Sequence, residues 1–183
     1  MFTSRKRFSQ VSLTIILAIA PFLGGCAMNA RPKNMTPSSF EVVNKHSKAV
    51  CIQIIGDVRG SFDWPTGVLN ADFQSALTEA IMKSEVFSKV SADSNADYVL
   101  TVDIAAASHQ KAGVKLGDTM TARWELRSTR PNAVVWKDII TTDFTATGGD
   151  AFVAMKRFRL AREGAARENI RTGIQEISDV KLE

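Results

Sequence analysis

The segment Tyr98-Val99-Leu100-Thr101-Val102-Asp103-Ile104 (YVLTVDI, residues 98–104) alternates in character. Tyr98, Leu100, Val102 and Ile104 share one face while Thr101 and Asp103 take the other, the two-residue period of a strand with one buried side. Downstream, MTARWELRS (120–128) alternates again, with Ala122, Trp124 and Leu126 inward and Arg123, Glu125 and Arg127 outward. Arg130-Pro131-Asn132 makes a turn. AVVWKDIITTDFTAT (133–147) then reads as a longer strand, with Val134 and Trp136 on one face and a bulge near Asp138, where alternation falters. Between the first two strands, AAASHQKAGVKLGDT (105–119) loses the pattern and reads as a long hairpin loop.

Working outward from this meander, KAVCIQIIGDV (48–58) is a short, β-branched apolar run ended by Gly56-Asp57, as in an inner strand. LNADFQSALTEAIMKSEVF (69–87) has the period of a helix. Asn70 is placed to cap it, Asp72 lies in the first turn, and Phe73, Leu77, Ala80 and Ile81 form one face against Gln74, Glu79 and Lys83. Gly148-Gly149-Asp150 breaks the strand and caps a final helix that runs to about Ile177, with Phe158, Ala161 and Ala165, then Ala166, Ile170, Ile174 and Ile177, at steps of three or four. Glycine inside a helix costs about 1 kcal/mol relative to alanine, so Gly164 and Gly173 imply close approach of the helix backbone to the sheet or a partner. The order β-α-β-β-β-α predicts a two-layer α+β domain, a four-stranded mixed or antiparallel sheet with both helices on one face. Thr101, Asp103, Arg123 and Glu125 would line the other face.

Ahead of the domain, Arg5, Lys6 and Arg7 precede the apolar run Val11–Ala20, and Gly24-Gly25 follow, the three-part layout of a secretory signal. Val11 to Leu23 is 13 residues broken by Pro21, short of the roughly 20 apolar residues a membrane span needs. Without residues 1–25, 20 basic residues face 19 acidic ones, a net charge of about +1. That removes most support for nucleic-acid binding, which rests on clustered basic charge. Residues 27–39, AMNARPKNMTPSS, carry two prolines without periodicity and read as an extended linker that lets the domain stand off a membrane.

There is no G-x-S-x-G, H-E-x-x-H or C-x-x-C, no glycine pattern that cradles phosphate, and no clustered metal ligands. His46 and His109 read as solvated loop residues, and Cys51, between apolar neighbours, as a buried strand thiol. No catalytic, cofactor or metal site is expected. The helix segment MKRFRLAREGAARENIR (155–171) gathers Lys156, Arg157, Arg159, Arg162, Arg167 and Arg171. One reading is contact with phosphate groups of lipid or lipopolysaccharide. The preferred one is a solvated helix laced by pairs such as Arg159 with Glu163, Glu163 with Arg167, and Glu168 with Arg171. Phe62 and Trp64, beside Pro65, are either a partner-facing anchor or a cover over one end of the core.

Leu23-Gly24-Gly25-Cys26 resembles the bacterial lipobox, in which cleavage after Gly25 leaves an acylated cysteine at the new N-terminus. The resemblance implies lipidation of Cys26, a diacylglycerol anchor and a periplasmic location. Ala27, in place of the aspartate that favours inner-membrane retention, implies the outer membrane. The chain then divides into a signal peptide (1–25), the acylated cysteine with a flexible linker (26–40), and a periplasmic domain (41–183). Together with the lipobox and the linker, the element order, the strand ADYVLTVDI, the strand ARWEL and the helix EGAARENIRTGI resemble small outer-membrane lipoproteins. Among these are the lipopolysaccharide-assembly lipoprotein that plugs a barrel, auxiliary lipoproteins of ABC-type lipid transport, and peptidoglycan-synthase activators. These families are binders, so the resemblance implies a non-enzymatic accessory or assembly factor for an envelope complex, with Phe62, Trp64, Arg159, Arg162 and Arg167 as candidate partner contacts. The alternative is a lipid- or glycolipid-binding protein using the basic helix.

Overall fold

A computed structural model describes residues 29–56, 67–93, 95–112 and 115–182. The described elements are α1 (Pro32–Met35), β1 (His46–Ile55), α2 (Asn70–Ser84), β2 (Phe87–Ser91), β3 (Tyr98–Ala112), β4 (Lys115–Thr129), β5 (Asn132–Ala146) and α3 (Ala154–Asp179). They form a mixed α+β fold on one five-stranded sheet of order β2-β1-β3-β4-β5. β1 lies parallel to β2 and β3, and β3, β4 and β5 form an antiparallel meander. One face of the sheet shares a single core with α2 and α3. Phe73, Leu77 and Ile81 of α2 and Ile170, Ile174 and Ile177 of α3 close over Leu100, Trp124 and Leu126.

The four-stranded, two-layer expectation changes in two respects. First, the stretch after Ser84 is not the end of a helix: Glu85 takes a left-handed φ of 55°, which stops α2 and turns Val86 and Phe87 into the core as β2 begins. Of the five residues of β2 only Phe87 is buried, so no alternation marks it in the sequence. Second, part of the expected linker is folded. α1 packs against both α2 and α3, with Ala30 and Met35 buried in the common core.

Other expectations shift locally. The expected loop is largely strand: residues 105–112 belong to β3 and 115–119 to β4, which pair from Tyr98↔Ser128 to Ala112↔Lys115 with one irregularity between Ile104 and Ala106. That register break explains the lost alternation. The irregularity between β4 and β5 falls at Val135, not Asp138, because Leu126 pairs Trp136 while Arg127 pairs Val134. Leu69 rather than Asn70 occupies the N-cap of α2. Asp150 does not cap α3, which starts at Ala154 after Val153. Instead its carboxylate accepts from the Thr147 N–H and hydroxyl at 2.7 and 2.8 Å, closing the turn after β5 and holding its pKa below the usual aspartate range. His46 lies buried at the start of β1, its Nε2 3.1 Å from the Ile177 carbonyl and its ring 5.4 Å from that of Phe87. His109 lies on β3. Cys51 is a buried strand thiol, as expected, and burial raises its pKa.

Both helical glycines have their reason in the sheet. A Cβ on Gly173 would sit 2.7 Å from the Trp124 ring, and one on Gly164 2.2 Å from Phe144. Trp124 is pinned in that slot: its Nε1–H donates to Asn169 Oδ1 at 2.9 Å, and Asn169 Nδ2 donates to the Ile140 carbonyl at 2.9 Å. Every polar atom of this buried pair thereby gains a partner, as burial demands.

Candidate functional site

Strand direction gives the molecule two distinct ends. β1, β3 and β5 run from one end to the other, and α2 and α3 return. Glu85, just past α2, meets Lys45, just before β1, and His46 Nε2 meets the Ile177 carbonyl near the end of α3. The starts of α2 and α3, the ends of β1 and β5, and the β3–β4 ribbon therefore share one end. The start of β1, the β4–β5 turn and the end of α3 share the other.

The chain enters at the first of these ends. Ala30 N–H donates to the Gly67 carbonyl, three residues before α2 begins, at 3.0 Å. From there it descends between the helices. The Glu163 carboxylate of α3, 1% exposed, accepts from Arg31 N–H at 2.9 Å and from Asn34 Nδ2 at 2.8 Å. Arg167 Nη1 donates to the Asn34 carbonyl at 3.0 Å, and its guanidinium lies 5.2 Å above the Phe144 ring. Thr36 donates to Glu79 on α2 at 3.2 Å, and Val43 and Asn44 bond Ser178 near the far end. Buried charge-assisted bonds of this kind are among the stronger ones a protein makes.

The three arginines chosen from the sequence are thus placed inside the architecture. Arg162 is 3% exposed, and its Nε donates to Asp118 Oδ2 of β4 at 2.6 Å, a salt bridge between α3 and the ribbon. Arg159 is directed at Glu163 at 3.5 Å, and Arg167 at the docked N-terminal segment. Of the expected intrahelical pairs, Arg159–Glu163 and Glu168–Arg171 form, while Arg167 reaches Glu168 at 3.7 Å. Phe62, Trp64, Gly25 and Cys26 lie outside the described residues, so their candidate roles have no geometry to set beside them.

Two surface features were not singled out in the sequence. At the entry end, the turn between β5 and α3 holds Phe152 97% exposed and Val153 60% exposed. Its backbone is fixed from both sides: Asp150 binds Thr147, and Arg157 Nη1 donates to the carbonyls of Ala151 and Phe152 at 2.9 and 2.8 Å. The large apolar pair Phe152-Val153, within the apolar run 151–155 that follows Gly-Gly-Asp, was the available signal.

At the far end, a cleft of about 420 Å³ opens between the β4–β5 turn and the chain after α3. Lys48, Arg130 and Lys181 line it with Asp97, and Val135 and Leu182 give it apolar wall. Asp97 is committed, accepting from Ala49 N–H at 2.8 Å, while none of the three cations has an ion pair among the described residues. Its lining comes from positions 48 to 182, so no local motif could reveal it. The cleft therefore offers positive charge beside apolar surface, the makings of an anionic or mixed contact. Among the described residues there is no group of three or more metal-ligating side chains and no helix long and apolar enough to cross a membrane.

The fold defines the class: a small mixed-sheet domain with two long helices over one face. No family model matches the chain, and no curated protein matches it. Solved structures share the fold. A Xanthomonas campestris protein of the DUF330 family is similar at 13% identity and a TM-score of 0.55, covering 77% of this chain and 87% of its own. A hypothetical protein of Chlamydia trachomatis matches at 11% identity and 0.51, over 72% and 98% of the two chains. A minor lipoprotein of Acinetobacter baumannii matches at 14% identity and 0.50, over 73% and 92%.

Proposed function

We propose that the protein is a non-enzymatic, lipid-anchored module of the bacterial envelope, periplasm-facing and sorted to the outer membrane, that serves as an accessory factor by binding a protein of an envelope complex. The observation that carries the reading is the entry of the chain. Ala30 is built into the core only four residues after the lipobox cysteine, so an acyl group on Cys26 would fix one end of a rigid domain near a bilayer and leave the other end free. That free end holds the cationic cleft, the surface suited to a partner. The Acinetobacter baumannii neighbour, itself described as a lipoprotein, supports the same reading. The alternative, glycolipid capture by the basic helix, is weakened because Arg162 is buried against Asp118 and Arg167 serves the docked segment.

The test joins anchor and partner. Metabolic labelling with an alkyne fatty acid is expected to mark the wild-type protein and not Cys26→Ser. A photo-crosslinking residue at position 181 is expected to trap one envelope protein in cells. An unlabelled wild type removes the anchor, and a labelled protein that traps nothing from position 181 removes the partner end.

A further inference from the structure

Phe152 and Val153 stand exposed, with no apolar cluster of the described residues taking them in, and their position relative to the anchor points to what covers them. From Cys26 to Ala30 the chain spans at most about 14 Å when extended. Along α3, the docking residue Glu163 lies nine residues from Ala154, about 14 Å by helical rise. The start of α3, with Phe152 and Val153 immediately before it, is therefore no farther from the docked segment than the acyl anchor is allowed to be. A tether of at most about 14 Å keeps the domain close to the surface that holds it.

We infer that Phe152 and Val153 are a second, non-covalent membrane contact, inserting into the headgroup and acyl boundary of the phospholipid bilayer that carries the Cys26 lipid. The inference rests on the lipid-anchor reading. The chemistry fits a bilayer. An aromatic ring and a branched aliphatic side chain project from a turn whose backbone is already ordered by Asp150 and Arg157, so little conformational freedom is lost on insertion. Lys156, exposed one turn into α3, stands where its ammonium reaches phosphate while its stem lies along apolar surface. An acyl chain and an apolar residue pair act as two membrane signals, and together they hold the domain's orientation as well as its location. The cationic cleft, at the opposite end of the sheet, is then turned toward the periplasm.

The test uses the full lipidated protein reconstituted in vesicles of phosphatidylethanolamine and phosphatidylglycerol, with intact-mass analysis of the anchor. Phe152→Trp adds a reporter at an exposed position, and Val135→Trp places one at the far cleft; wild-type emission is subtracted as background. The expected result is a blue-shifted residue-152 emission that loses most of its intensity in vesicles containing brominated lipid, with residue 135 unchanged. An acylated Cys26 with an unquenched residue 152 overturns this inference and leaves the anchor standing; so does crosslinking of position 152 to a protein instead of lipid. An unmodified Cys26 overturns both.

Discussion

The two ends of the sheet handle charge in opposite ways. At the entry end charges are buried and matched: Arg162 with Asp118, and Glu163 with the backbone and side chains of the docked N-terminal segment. At the far end Lys48, Arg130 and Lys181 surround a cleft with no ion pair among the described residues, and deeper along the same half two carboxyls, Glu176 of α3 and Asp138 of β5, are pressed together. Buried, matched charge fixes geometry, whereas gathered like charge stays available for something else. The contrast separates a half built to be held from a half built to hold.

The strongest way to break it is to remove one member of the buried pair. Arg162→Ala leaves Asp118 without its guanidinium in a dry site, and truncating one side of such a pair costs about 3–5 kcal/mol. Chemical denaturation should show the loss. Exchanging both partners for apolar residues of similar volume is expected to restore much of it, which would show that the pair secures the seating of α3 on the ribbon more than it adds net stability.

Next in size is Glu163→Ala, which deprives Arg31 N–H and Asn34 Nδ2 of their acceptor. Hydrogen bonds to a buried charge contribute about 1.5–3 kcal/mol. The sharper readout is local: backbone amides of residues 30–36 should exchange much faster while the strands remain protected. A released segment returns the domain to the slack tether that its proline-rich sequence first implied.

That segment shows where sequence reading stops. The strands around Leu100 and Trp124 were legible because burial on one face writes itself as alternation, and the apolar sides of α2 and α3 because helical burial repeats every three or four residues. Gly173 was legible as a close approach, though not as the slot for Trp124. By contrast, α1 is four residues long and owes its order to Glu163, 128 positions from its last residue, Met35. β2 is short and mostly exposed, and ladder pairing with β1 rather than pattern makes it a strand. The arginines were visible as a run, but inward and outward guanidinium groups look alike until the neighbouring strand supplies Asp118. Phe152 carried only the weak signal of two apolar residues in a turn, because exposure is a property of the assembled surface.

Smaller and dependent on pH is the effect of the carboxyl pair. Burial, then a hydrogen bond that the protonated Glu176 carboxyl donates to Asp138, and the charges of Asp138 and Asp179, push Glu176 from its ordinary 4.5 up to about 7. Between those values the unfolded chain releases a proton that the folded protein keeps, so stability falls as pH rises from about 4.5 to 7 and is level on either side. Glu176→Gln should remove that fall. After allowance for solvent screening at a partly exposed site, the variant is expected to be about 1 kcal/mol more stable than wild type at pH 8. Denaturation midpoints of both proteins at pH 5 and pH 8 measure it.

The smallest expected change in stability belongs to the cleft, and there the smallness is informative. Lys181→Glu and Arg130→Glu alter exposed side chains that hold no ion pair among the described residues, so each should shift stability by no more than about 0.5 kcal/mol. If the far end exists to bind, charge reversal should nevertheless abolish crosslinking from a probe at position 48, whereas reversing Lys156 at the entry end leaves that crosslink intact. A cleft that tolerates reversal in both stability and binding would be ordinary surface, and the division of labour between the ends would fail on its binding side. Loss of binding at unchanged stability would instead place partner recognition in charges the fold does not use, at the end farthest from the point where the chain enters.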